Sequence, residues 1–154
     1  MLLSVTELIG RLHPLLVHLP IGILLIALLL QWLSQKQAYA VAHGVLKLLW
    51  GLGVASALLA CITGYVLSVQ GTYDDAAVAL HMWSSIGVAA VSLFLFAKVV
   101  GRQYDAAYKI GAFVLLLLIV VASHLGGSLT HGSGYLQGAS HKPATRKAAE
   151  PPHQ

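Results

Sequence analysis

Apolar residues in this chain gather into four long runs, separated by short polar breaks. A helix crossing the hydrocarbon of a bilayer needs about 20 mostly apolar residues. Runs over 12–33, 41–68, 78–100 and 108–125 meet that length. The breaks are Ser34-Gln35-Lys36-Gln37, Gly71-Thr72-Tyr73-Asp74-Asp75 and Gly101-Arg102-Gln103-Tyr104-Asp105. Thr72 or Asp74 is a natural N-cap for the third helix. Trp32, Trp50, Trp83, Tyr39, Tyr73, Tyr104 and Tyr108 stand at or near the proposed ends, where an interfacial aromatic belt is expected. The pattern predicts an all-α integral membrane four-helix bundle over 1–137. Residues 138–154 form a polar, Pro-bearing tail whose composition predicts disorder. Gly126-Gly127-Ser128 is expected to loosen the end of the fourth helix.

Composition agrees with a lipid environment. Of 154 residues, 58% are hydrophobic and only 9% charged, against about a quarter charged in a soluble domain. A net charge of +4 does not signal nucleic acid here. The cations lie in loops and a tail, where lipid headgroups are the natural contact. Cys61, the one cysteine, sits inside an apolar run and reads as packing; no CxxCH motif offers covalent haem attachment. The first residues lack the basic stretch of a cleaved signal peptide, so the first helix is expected to be retained.

The first and third connections with their flanks hold Lys36, Lys47, Lys98, Arg102 and Lys109, while the second holds Asp74 and Asp75 and no cation. Positive-inside reasoning puts the first and third loops in the cytoplasm and both termini outside. The expected location is a cytoplasmic membrane, crossed four times.

Eight histidines are many for so apolar a chain. With the helices bounded as above, His18, His81 and His124 each lie about 10 Å below the outer boundary, at about 1.5 Å per residue. His13 and His131 form a shallower tier on the same side. His43 is on the cytoplasmic side, and His141 and His153 are in the tail. Ionisable groups within transmembrane segments are costly and usually face the bundle interior for a purpose. Neutral imidazole is a good ligand for iron, copper and zinc. Two histidines on facing helices suit the axial positions of haem. His18, His81 and His124 are therefore the candidate metal ligands for one haem b, and His13 and His131 would serve a second. Gly22, Gly64, Gly87, Gly126 and Gly127 are candidates for close approach of a flat ring, although glycines in lipid more often serve helix packing. His13 and His18 are separated by about 140° around a helix at 100° per residue, so they serve different contacts unless Pro14 distorts the turn. Arg11 suits a haem propionate or a lipid phosphate.

RLHPLLVHLPIGILL (Arg11 to Leu25), Thr63-Gly64-Tyr65, the single His81 opening the third helix and HLGGSLTHGSGYL (His124 to Leu136) resemble the membrane family catalogued as "domain of unknown function 2231". The resemblance covers about 8–137. It implies a four-helix membrane protein and brings Tyr65 into the set of cofactor-contact candidates. In longer relatives the segment resembling HGSGYL leads into c-type cytochrome domains, which implies an extracytoplasmic C-terminus and an electron-transfer setting. This chain ends in a short tail without a c-type motif, so any c-type cytochrome would be a separate subunit.

The leading expectation is a b-type cytochrome subunit, an electron carrier between quinol and an extracytoplasmic redox partner rather than a stand-alone enzyme. A non-catalytic assembly or anchoring subunit of a membrane complex is the alternative. A metal or proton transporter has less in its favour, because the histidines cluster at one face. Nothing in the sequence places a paired-carboxylate site, a phosphate loop or a Ser-His-Asp arrangement.

Overall fold

In a computed structural model of the chain, the described residues are 4–36, 41–70 and 75–132. Thr72, Asp74, Tyr39, Tyr73 and the tail 138–154 fall outside them. The described residues are helical, with four helices long and apolar enough to span a membrane. The first span, Val5–Ser34, is built of three segments: α1 (Val5–Arg11), α2 (His13–Leu16) and α3 (His18–Ser34). The others are α4 (His43–Gln70), α5 (Asp75–Val100) and α6 (Ala106–His131).

The first span starts about two turns earlier than the apolar run suggests. Ser4 and Glu7 form a reciprocal capping box, with Glu7 N–H donating to Ser4 Oγ at 3.3 Å and Ser4 N–H to Glu7 Oε2 at 2.8 Å. Beyond it, Pro14 and Pro20 have no N–H to offer the carbonyls four residues back. The helix is interrupted at Leu12 and Val17, both in right-handed helical conformation. The fourth span also runs past its expected end. Gly126-Gly127-Ser128 continues as helix to His131, because backbone groups among apolar neighbours have no better partner than the helical one. Ser128 and Thr130 hydroxyls add donors to the carbonyls of His124, Gly126 and Gly127.

The spans run up and down. α4 packs against α1, α2 and α3 on one side and against α5 on the other; α5 packs against α6, and α3 touches α6 lightly. Each helix turns a stripe at three- and four-residue spacing inward: Leu24, Ala27 and Gln31; Leu46, Trp50, Val54 and Ala57; Val88, Ser92, Leu95 and Val99; Leu115, Ile119 and Ala122. α3 approaches α4 closely enough that a Cβ on Gly53 would collide with the Leu24 side chain. Two expected belt residues, Trp50 and Tyr108, lie in this core at 0% and 3% exposure. They meet edge to face, with ring centres 6.5 Å apart. Trp32 and Trp83 are exposed, as a belt requires.

One end of the bundle carries Arg11 and most of the histidines. The other carries Lys36, Lys47, Lys98, Arg102 and Lys109 with Asp105. Asp105 caps α6 by accepting from Tyr108 N–H at 2.9 Å, and it accepts a charged hydrogen bond from Lys98 Nζ at 2.9 Å. The Lys98 bond, with the backbone bond, holds its carboxyl below the usual aspartate value. α5 ends in a Schellman motif: Gln103 N–H donates to Lys98 O at 2.9 Å and Arg102 N–H to Val99 O at 3.1 Å. The left-handed position of that motif is usually glycine. Here it is Arg102, with φ 54°, at a cost of about 1–2 kcal/mol relative to a relaxed backbone.

A candidate histidine site in the bundle

The earlier start of the first span changes which histidines share a level. Measured from their own helix ends, His13, His81 and His124 lie roughly eight, six and seven residues deep, about 9–12 Å at 1.5 Å per residue. His18 lies deeper. The Ser4–Glu7 capping box was the sequence signal for this register, and the apolar run alone does not carry it.

His13 and His81 meet inside the bundle. Their rings are half-buried, with centres 6.3 Å apart and planes inclined at 75°. His13 is on α2 and His81 on α5, so the two reach toward each other across the end of α4. Each ring occupies room that a glycine leaves. A Cβ on Gly64 of α4 would stand 2.8 Å from His13 Cε1, and one on Gly126 of α6 would stand 2.9 Å from His81 Cε1. Of the five glycines considered for ring approach, these two accommodate imidazole. Gly87 faces Leu118, and Gly22 and Gly127 face open space.

Hydrogen bonds assign the tautomer of each ring. His81 Nδ1 is 3.1 Å from the carbonyl oxygen of Ala122. A carbonyl only accepts, so His81 Nδ1 carries the proton. His13 Nδ1 is 3.3 Å from Thr63 Oγ1. The Thr63 hydroxyl is itself buried and directs its proton to the carbonyls of Leu59 at 3.1 Å and Ala60 at 3.2 Å. With its proton on either carbonyl the hydroxyl accepts from His13, whose Nδ1 is then the donor. Both rings thus keep an Nε2 lone pair for another partner. Metal-bound histidines are commonly oriented in this way, by a second hydrogen bond from the ring nitrogen that does not ligate.

The remaining candidates lie elsewhere. His18 is exposed, and its Nδ1 donates to Pro14 O at 2.8 Å one turn back. His124 and His131 are exposed on α6; His131 Nδ1 lies 2.8 Å from Thr130 Oγ1 and 3.3 Å from Gly127 O. Tyr65 is 63% exposed and Arg11 is exposed in the last turn of α1. The structure joins His81 to His13 rather than to His18 and His124. Among the described residues, no three His, Cys, Asp or Glu side chains gather as a metal-binding group. Cys61 is a free, partly buried thiol within α4.

His13, Thr63, Gly64, His81 and Gly126 all come from the four segments singled out in the sequence, which converge here from four helices. No family model matches the chain, and no match was found among curated proteins or solved structures.

Proposed function

We propose that this chain is a b-type haem-binding membrane subunit in which His13 and His81 would hold the haem. One observation carries the reading: two imidazoles, each hydrogen-bonded through Nδ1, with ring centres 6.3 Å apart. Two imidazoles bound head-on to one metal atom have ring centres roughly 6–6.5 Å apart, given metal–nitrogen bonds of about 2.0–2.1 Å. A bare ion needs three or four protein ligands, which this pair does not supply. Haem needs only two. When bound, haem supplies a one-electron centre whose potential follows its ligands, burial and nearby charge. The chain's own part is to hold each Nδ1 proton, on Thr63 Oγ1 and on Ala122 O, which raises the basicity of Nε2. It also sets the half-buried pair among apolar helices.

In this reading the cationic end faces the cytoplasm and both termini lie outside, by the positive-inside rule, in a bacterial cytoplasmic membrane. Electrons pass between quinol and an extracytoplasmic redox partner, the setting that the resemblance to the "domain of unknown function 2231" family implies. A second reading, an anchoring subunit of a membrane complex, has an observation of its own. His18 and His124 are exposed on transmembrane helices, where imidazole facing lipid is costly and a partner helix would cover it.

The test is a reduced-minus-oxidised visible spectrum of the detergent-purified protein, with pyridine haemochrome quantitation. The expected result is b-type bands that His13→Ala and His81→Ala abolish and His18→Ala and His124→Ala leave in place. A folded but colourless protein, expressed with ample haem, would reject the cytochrome and favour the anchoring subunit.

A further inference from the structure

The opposite end of the bundle holds a second polar feature, which the histidine pair does not use. An open cleft of about 360 Å³ lies where α3 ends, α4 begins and the α5–α6 turn passes. Gln31, Ser34, His43, Arg102 and Tyr104 line it, and no carboxylate among the described residues does. Gln31 is 2% exposed. Its Nε2 donates to Ser34 Oγ at 3.2 Å, while its Oε1 has no hydrogen-bond partner among the described residues. A buried acceptor left in this state is costly, and it calls for a donor arriving in the cleft.

Two further observations give the charge of that visitor. Among the described residues, Lys36, Lys47, Lys98, Arg102 and Lys109 surround this end against one acid, Asp105, which Lys98 already engages. Arg102 makes no ion pair among the described residues. It also occupies the left-handed cap where glycine would be relaxed, and strain of that kind is kept where a side chain has a task. Anion binding is a task that accounts for it.

Position gives the source. The cleft is at the ends of membrane-crossing helices, at the level of lipid headgroups. A neighbouring cleft of about 370 Å³, lined by Leu28, Trp32, Tyr108, Lys109 and Ala112, shares Gln35 with the first. We infer that the paired clefts bind an acidic phospholipid with a hydroxyl-bearing headgroup, of the phosphatidylglycerol type. Arg102 and His43 take the phosphate, a headgroup hydroxyl donates to Gln31 Oε1, and an acyl chain lies against Leu28, Trp32 and Ala112 of the second cleft. This inference is independent of whether the histidine pair holds haem.

The experiment uses the full chain in neutral detergent, titrated with phosphatidylglycerol, phosphatidylcholine or glycerol 3-phosphate. Bound lipid is read by native mass spectrometry and thermal stability by intrinsic fluorescence. Phosphatidylglycerol should bind at one molecule per chain and raise the melting temperature; the other two should bind at least about tenfold more weakly, phosphatidylcholine because it has no headgroup hydroxyl and no net negative charge, glycerol 3-phosphate because it has no acyl chain. Arg102→Gly relaxes the cap and removes the charge. It should melt no lower than the wild type in detergent alone, yet lose about tenfold or more in phosphatidylglycerol affinity. Gln31→Leu should reduce the preference for phosphatidylglycerol over phosphatidic acid, which has no headgroup alcohol. Equal binding of phosphatidylcholine, or Arg102→Gly with undiminished affinity, would overturn the site. Glycerol 3-phosphate binding as tightly as the lipid would overturn the lipid as its source.

Discussion

Thr63→Val tests the tautomer assignment without touching either histidine. The substitution exchanges a hydroxyl for a methyl group of similar shape at a buried position of α4, so packing is nearly kept. What disappears is the acceptor for His13 Nδ1–H at 3.3 Å. The Thr63 bonds to Leu59 O and Ala60 O disappear too, but those carbonyls are already served by the helix, so their loss adds little. An unsatisfied buried donor costs about 1–3 kcal/mol. His13 is only half-buried and its long hydrogen bond is not a strong one, so the lower bound, about 1 kcal/mol, applies. For a chain of this size that corresponds to a melting temperature lower by about 2–4 °C. The more specific readout is the proton itself. In 15N spectra of histidine-labelled protein, His13 and His81 should both carry the proton on Nδ1 in the wild type. In Thr63→Val, His13 should lose that preference while His81, anchored on Ala122 O, retains it. Thr63→Ser should restore it. Wild-type rings protonated on Nε2, or a valine variant with an unchanged His13 signal, would refute the assignment and remove the main support for a ligand pair.

Gly126→Ala places a Cβ 2.9 Å from His81 Cε1 and should displace that ring, weakening any bound chromophore more than it lowers the melting temperature. Gly127→Ala meets open space and should be silent in the same spectrum. Leu24→Ala empties a fully buried site and should cost about 2–5 kcal/mol in a reversible unfolding assay. Asp105 has a folded pKa below its unfolded value, because of Lys98 and the cap. Its contribution is therefore complete above the unfolded aspartate pKa, about 3.9, and is lost as pH falls through the lower folded value. Asp105→Asn should flatten the acid limb of a melting-temperature-against-pH curve below about pH 4; an unchanged limb would mean that the ion pair contributes nothing.

The four spans were legible because length and apolarity are what a bilayer demands of a helix. Which face of each helix turns inward was not, because lipid-facing positions such as Leu29, Leu58 and Phe113 are as apolar as core positions such as Leu24 and Leu115. Interior and exterior therefore differ in packing more than in residue type. Trp50 and Tyr108 illustrate the consequence: near a helix end they read as belt residues, yet they are core. The histidine pair was half legible. His81 stands about as far into its helix as the sequence suggests, whereas the first helix begins after Ser4 rather than at the apolar run and so carries His13 further from its start. The roles of Gly64 and Gly126 needed coordinates, since a glycine's sequence says nothing about what fills the space it leaves. The cleft around Gln31 went unread for a similar reason: one amide in an apolar helix carries no periodic signal.

Each imidazole of the pair sits in the hollow of a glycine on a different helix, and this has a consequence for inheritance. His13 with Gly64, and His81 with Gly126, cannot vary independently. A larger residue at either glycine evicts the ring, while loss of the ring leaves a void that a larger residue would fill. The two couples should therefore change together across descendants of this gene, each glycine retained while its histidine is retained and released when it is lost. Four positions scattered over the chain thus act as two hereditary units, and a homologue keeping all four has kept the site.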